Sequence, residues 1–350
     1  MRGRALDFLV CPRCRGSLAL EVTEREGDEI TEGALRCGCG ATYPVTRGVP
    51  RLLPDAAAVS DAAQRTVDRF GEQWNEFDFL GEHYEQQFLG WISPNTPESF
   101  RGEVVLEGGC GKGRHSALVS KFGAKDVIAL DLGSAVEAAY RNTRGLPNVH
   151  VVQGDLFNLP IRPGTVDTAF SVGVLHHTPD PKRAFLELVS RVRPGGRMIA
   201  WVYGKENNEW ILKVVDPLRR ALTSRLPHRA VYQLSKVPAA MVFLASRGIY
   251  RPLSRRPFDA VGKRLFYQAY LNAIAEFPFA EVHSIVHDHL TPPIANYLAR
   301  DEFAAWFTEA GLEHVTISWH NENSWRGTGR RRELQPAEET PHETAPSDAG

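Results

Sequence analysis

From residue 101 onward, short apolar runs alternate with stretches of helical period. Residues 104–106, 126–130, 149–152, 165–172 and 197–203 have strand length, and segments such as 116–122 and 181–193 between them suit helices. The order β-α-β-α-β-α-β-α-β predicts a parallel sheet with helices on both faces. A long insertion, 204–299, follows the fifth strand. A helix over 300–310 then ends at Gly311 in C-cap fashion, and two closing strands are expected over 313–319 and 324–330. Ahead of the sheet, residues 56–100 are helical in pattern and aromatic-rich until Pro94-Asn95-Thr96-Pro97 breaks them. The expected units are therefore a ribbon (1–54), a helical cover (55–100), a core (101–203 with 300–332), a helical insertion (204–299) and a disordered polar tail (333–350).

Composition narrows this little. The chain has 350 residues, 43% of them hydrophobic, and a formal net charge of −1, so overall charge points to neither nucleic acid nor membrane. No 18-residue apolar run is present and no signal-peptide stretch precedes Cys11, so a cytoplasmic protein without a transmembrane segment is expected.

Chemistry enters at the end of the first core strand. Glu107, Gly109, Gly111 and Gly113 form E-x-G-x-G-x-G between a strand and a helix. A dinucleotide fingerprint G-x-G-x-x-G would need a third glycine at Arg114. An acid closes the second strand at Asp131, followed by Leu132, and Asp155 and Leu156 follow the third. An acid at the position of Asp131 can hydrogen-bond both ribose hydroxyls. The fourth strand leads to Gly173, Leu175, His176 and His177. This series resembles the class I S-adenosylmethionine (SAM)-dependent methyltransferases. The resemblance implies an α/β, Rossmann-like fold with a seven-stranded, mostly parallel sheet. It also implies SAM as cofactor, held by Glu107, Gly109, Gly111, Gly113, Asp131, Leu132, Asp155 and Leu156, with Asp155 on the adenine amino group and Leu156 against the ring. Helices preceding the core commonly cover the cofactor in that family, so Gln73, Trp74 and Tyr84 are expected either to line the cavity or to pack on the sheet.

Five cysteines are too few and too unevenly placed for a disulfide framework. Cys11 and Cys14 form a C-x-x-C knuckle, and Cys37 with Cys39 supplies a second pair, which suits a closed structural zinc site. The segment resembles a Trm112-like zinc ribbon through Cys-Pro-Arg-Cys, Tyr43-Pro44-Val45 and Gly48-Val49-Pro50-Arg51. The C-x-C pair departs from the usual C-x-x-C, leaving a metal-free ribbon as the alternative. Cys110 is expected to be a space-filler in the cofactor loop.

Methyl transfer needs a base only when the acceptor must lose a proton. Ligands of open α/β sheets bind beyond the C-terminal strand ends, which makes His177 and His176 the first candidates. His287 and Asp288, in a cluster with His283 and His289, are the second, and Asn321, Asn323, Trp325 and Arg326 are possible substrate contacts. Between residues 211 and 264, twelve Lys and Arg face two acids, which invites an anionic partner or a solvated face. The apolar residues among them suit helices capping a cavity or, less favoured, a surface meeting lipid. The expected acceptor is a small molecule, such as a secondary metabolite, quinone, sugar or lipid, possibly anionic. Nucleic acid is not the expected partner. An rRNA or tRNA methyltransferase is the alternative, and a non-catalytic scaffold a second one.

Overall fold

The computed structural model describes residues 1–53, 60–77, 83–255 and 257–333. Apart from Glu333, the expected tail lies outside the described residues, as does Arg256 of the basic insertion.

The core strands are β5 (Val104–Gly108), β6 (Asp126–Asp131), β7 (Val149–Gly154), β8 (Val166–Val172) and β9 (Val192–Tyr203), followed by β10 (Leu312–His320) and β11 (Ser324–Arg331). They lie in the order β7-β6-β5-β8-β9-β11-β10. The first five are mutually parallel, whereas β11 runs antiparallel to both β9 and β10. This is the expected Rossmann-like, seven-stranded, mostly parallel sheet. The inner strands are apolar because both their faces are covered, and Val127, Ile128, Ala129 and Leu130 are all fully buried. The Arg193-Pro194-Gly195-Gly196 stretch forms a bulge within β9. Val192 pairs with Val166, the next pairing is Arg197 with Thr168, and Gly195 takes φ +74°.

Four antiparallel strands precede the core: β1 (Leu18–Glu26), β2 (Glu29–Cys37), β3 (Thr42–Thr46) and β4 (Val49–Leu52). They form the expected ribbon, but it is continuous with the core sheet. β4 pairs in parallel with β7 through Arg51↔Gln153 and Leu52↔Gly154, making one eleven-stranded sheet. Leu9, Leu35, Val45 and Leu52 share a core with Leu106, Ile128 and Leu130. Arg51 pairs with Glu137 at 2.6 Å and Arg4 with Asp126 at 2.6 Å. A segment too small for its own core thus borrows that of the sheet.

Helix α1 (Asp61–Glu76) starts at Ser60, whose hydroxyl accepts from the Ala63 amide at 3.3 Å. Helix α2 (His83–Ile92) buries Phe88 and Ile92 completely. Helices α3 (Arg114–Lys121), α4 (Ala135–Thr143) and α5 (Pro181–Arg191) follow β5, β6 and β8. Asp180 caps α5 by accepting from the Arg183 amide, with Pro181 at the first helical position. The insertion is helical, through α6 (Asp216–Ala221), α7 (His228–Leu234), α8 (Lys236–Ala245) and the helix Phe279–Leu290. It returns where the Leu298 amide donates to the Tyr203 carbonyl. Among the described residues no helix is long and apolar enough to cross a membrane.

Candidate active site

A cavity of about 1050 Å³ opens at the C-terminal ends of β5, β6, β7, β8 and β9, bounded by α1, α2 and the insertion. Its first half is built by the turn after β5. Gly109 and Gly111 take φ of +83° and +51°, a region that penalises any side chain. A methyl group on Gly109 would lie 2.4 Å from the Val174 side chain, and one on Gly111 3.1 Å from the Trp74 indole. Asp131 stands opposite, its carboxylate accepting from the Gly111 and Gly133 amides, each at 2.9 Å. Each oxygen retains a lone pair toward the cavity. Asp155 accepts from the Phe157 amide at 3.0 Å, and Leu132 and Leu156 complete this wall.

Two motif residues are not in the lining. Glu107 is fully buried and turns toward α3, accepting from His115 Nδ1 at 3.0 Å and from the Ser116 hydroxyl. Burial pushes its carboxyl up to about 8. Glu107 therefore braces the loop from behind. Gly113 caps α3, and its backbone lies so close to Ala139 and Thr143 of α4 that a methyl group would crowd both.

The second half carries the polar groups at which an acceptor could react. His177 lines the cavity, whereas His176 does not. His176 is fully buried, packed on Tyr203 (3.9 Å between rings) and Trp201, so its expected catalytic role is corrected to packing. The Nδ1–H of His177 donates to the Ile294 carbonyl at 2.8 Å, which puts the lone pair on Nε2. That atom has no hydrogen-bond partner among the described residues. Burial pushes the imidazole down to about 4, so it stays neutral at physiological pH.

Asp288 also lines the cavity and accepts from the Tyr203 hydroxyl at 2.7 Å. Its carboxyl is raised by burial. His287 faces away, against Thr291, His228 and Phe77, and the histidine of this helix that reaches the cavity beside Asp288 is His289. A step of two residues turns a helix by about 200°, so His287 and His289 point in opposite directions.

Gln73 and Trp74 line the cavity. Gln73 is 1% exposed, and neither end of its amide finds a partner among the described residues. Tyr84 sits behind the wall, donating to Glu281 at 2.6 Å and accepting from Lys112 at 2.9 Å. Asn321 and Asn323 are in the lining, whereas Trp325 packs at a tilt against Trp319 and Arg326 donates to Ser318 and Gly90. Tyr203 was missed in the sequence, although its place at the end of the fifth parallel strand was a usable signal. Lys112 and Arg114 were missed as well.

The neutral histidines set a pH dependence. His177, His289 and His320 are pushed down to about 4 and His287 to about 3, in each case chiefly by burial. The unfolded chain binds protons at these groups near pH 6.5, whereas the folded chain does so only near 4 or below. Stability is thus fully present above about pH 6.5 and is lost as the pH falls toward 4. Melting temperatures measured from pH 7.5 to 4.5 should fall over that interval, and a flat profile would contradict these burials.

At the N-terminus, the sulfurs of Cys11, Cys14, Cys37 and Cys39 lie within 4.8 Å of one another, at 3.8 Å for Cys11–Cys39 and 3.4 Å for Cys14–Cys37. Tetrahedral zinc with Zn–S bonds of about 2.3 Å requires sulfurs about 3.8 Å apart. The C-x-C pair is therefore gathered with Cys11 and Cys14 into one four-sulfur cluster. Cys110 lies apart, buried in the cofactor loop, with its thiol pushed up by burial.

Comparison with known proteins agrees with this architecture. Residues 106–200 match the family model described as a methyltransferase domain, and residues 4–48 match that of Trm112p-like proteins. The chain thus carries a methyltransferase domain over residues 106–200 and a Trm112p-like segment over residues 4–48. An uncharacterized 37.1 kDa protein of a Streptomyces fradiae transposon is 39% identical over 101 residues, 28% of this chain and 29% of that one. The tRNA U34 carboxymethyltransferase of Marinobacter nauticus is 28% identical over 170 residues, 42% of this chain and 51% of its own length. A malonyl-[acyl-carrier protein] O-methyltransferase of a Marinomonas strain is 25% identical over 228 residues, 55% of this chain and 82% of its own. The chain spans about a third to a half of the length of the first curated relatives it matches. Several further relatives bear the name tRNA U34 carboxymethyltransferase. These names overturn the expectation of a small-molecule acceptor, and with it the expectation that nucleic acid is no partner.

Proposed function

We propose that this methyltransferase modifies RNA, with a tRNA base as acceptor. The observation that carries the reading is the recurrence of tRNA U34 carboxymethyltransferases among its relatives. The site supports it physically. An enzyme acting on a base must take it out of the stack into a pocket. The outer cavity offers aromatic walls for stacking, among them Phe70, Tyr203 and Tyr270. Among the described residues, nine Lys and Arg of the insertion are exposed, and such cations suit phosphates. Arg219 is not one of them, being buried against Asp216.

In this reading Asp131 holds the ribose hydroxyls of SAM. Asp155 and Leu156 hold the adenine, with Leu132 beside them, and Gly109 and Gly111 let the backbone approach. Glu107 and Gly113 shape the loop from outside the cavity. When bound, SAM supplies an electrophilic carbon on a sulfonium. The chain's own contribution is placement and the exclusion of water. Where the acceptor atom carries a proton, we assign His177 Nε2 as its receiver, with the Ile294 carbonyl holding the tautomer. Asp288, Tyr203 and His289 orient the acceptor. Zinc held by Cys11, Cys14, Cys37 and Cys39 is structural, since four thiolates leave no open position.

His177→Ala should lower the transfer rate about 10²- to 10⁴-fold, the usual contribution of a general base, with SAM affinity unchanged. Single-turnover transfer to bulk tRNA alongside calorimetric titration separates the two quantities. An unchanged rate would remove His177 from the chemistry.

A further inference from the structure

Thirteen of the fifteen large apolar side chains that stand exposed among the described residues lie from Trp210 to Phe279, all in the insertion. They fall into rows. Val214, Leu218 and Leu222, at 62%, 47% and 49% exposure, are spaced by four residues along the helical run that contains α6. Leu234, Val237, Met241 and Leu244, at 58% to 69%, recur every three or four residues from the end of α7 along α8. α8 carries no acid and is apolar around its whole circumference. It buries Ala239, packs Phe243 on Phe279, and leaves the opposite side uncovered by the described residues. A helix of that composition is ordinarily buried all round. Lys213 and Arg225 bracket the first row and are exposed, as are Arg247, Arg255 and Arg264 elsewhere in the insertion.

We propose that this face of the insertion is a peripheral docking surface for an anionic lipid bilayer. The apolar rows would enter the headgroup–acyl boundary while the flanking cations meet lipid phosphates, the arrangement of an interfacial amphipathic helix. Charge complementarity selects this occupant. A second copy of the chain would bring cation against cation. RNA would satisfy the cations but has no use for rows of Val, Leu and Met, because it is held through phosphates and stacked bases. The proposal goes beyond the RNA reading and does not depend on it.

The test is co-flotation of the full-length, zinc-loaded protein with vesicles of equal parts phosphatidylcholine and phosphatidylglycerol, and with vesicles of phosphatidylcholine alone. The protein should float with the anionic vesicles and stay below with the neutral ones. A Val237→Ser, Met241→Ser, Leu244→Ser variant should lose partitioning by roughly tenfold or more. Its melting temperature should be unchanged, because these side chains are already exposed. Failure of the wild type to float with anionic vesicles overturns the proposal. So does equal flotation of the serine variant, since the attraction would then be charge alone, as for RNA. A dimer in solution that the serine changes dissociate would overturn it too, by assigning the face to self-association.

Discussion

Replacing Cys37 by serine is expected to abolish the proposed zinc site of the N-terminal strands and to destabilise the whole sheet. Structural zinc contributes about 10–16 kcal/mol of apparent binding energy in small zinc-folded peptides, a term that a four-stranded ribbon cannot replace from its own core. The effect should not stay local. β4 pairs with β7, and Leu35, Val45 and Leu52 share a core with Ile128 and Leu130. Zinc content by atomic emission should fall to near zero and the melting transition should move sharply down or split. Cys110→Ser is the control. Its side chain belongs to the cofactor loop, outside the four-sulfur cluster, so zinc content should stay at one per chain. Stoichiometric zinc in the Cys37 variant would show that the cluster is not the metal site.

The second large effect falls on the cofactor. Asp131→Ala removes the acid proposed to hold both ribose hydroxyls. It also frees the Gly111 and Gly133 amides that this carboxylate now ties down. A hydrogen bond to a charged group contributes about 1.5–3 kcal/mol, so losing two should weaken SAM binding by roughly 10²- to 10⁴-fold. Calorimetric titration checks this directly. Affinity within a few-fold of wild type would place the cofactor elsewhere in the cavity.

The order of the core strands was legible because each strand, turn and helix is written locally: glycines where φ turns positive, acids at strand ends, Asp180-Pro181 at the start of α5. Pairing of distant segments was not. Only two residue pairs join β4 to β7, and no local pattern announces them, so the ribbon read as a separate unit. Side-chain direction was the other gap. His176 and His177 are neighbours, yet one packs on Tyr203 and Trp201 while the other lines the cavity. Glu107 carries the motif, but its carboxylate faces His115 and Ser116. His287 and His289 share a helix and point opposite ways. The acceptor was illegible for a further reason. No short motif encodes it, and it is set by the cavity walls that three separated segments build together.

The most direct measurement is transfer itself. Purified protein, supplied with SAM or a carboxymethyl-bearing analogue and with bulk tRNA, would be followed by nucleoside mass spectrometry of the recovered RNA. The account predicts a modified nucleoside that appears with the wild type and is lost with Asp131→Ala. Unmodified RNA from folded, SAM-binding protein, above all if the label appears in a protein acceptor instead, would contradict it.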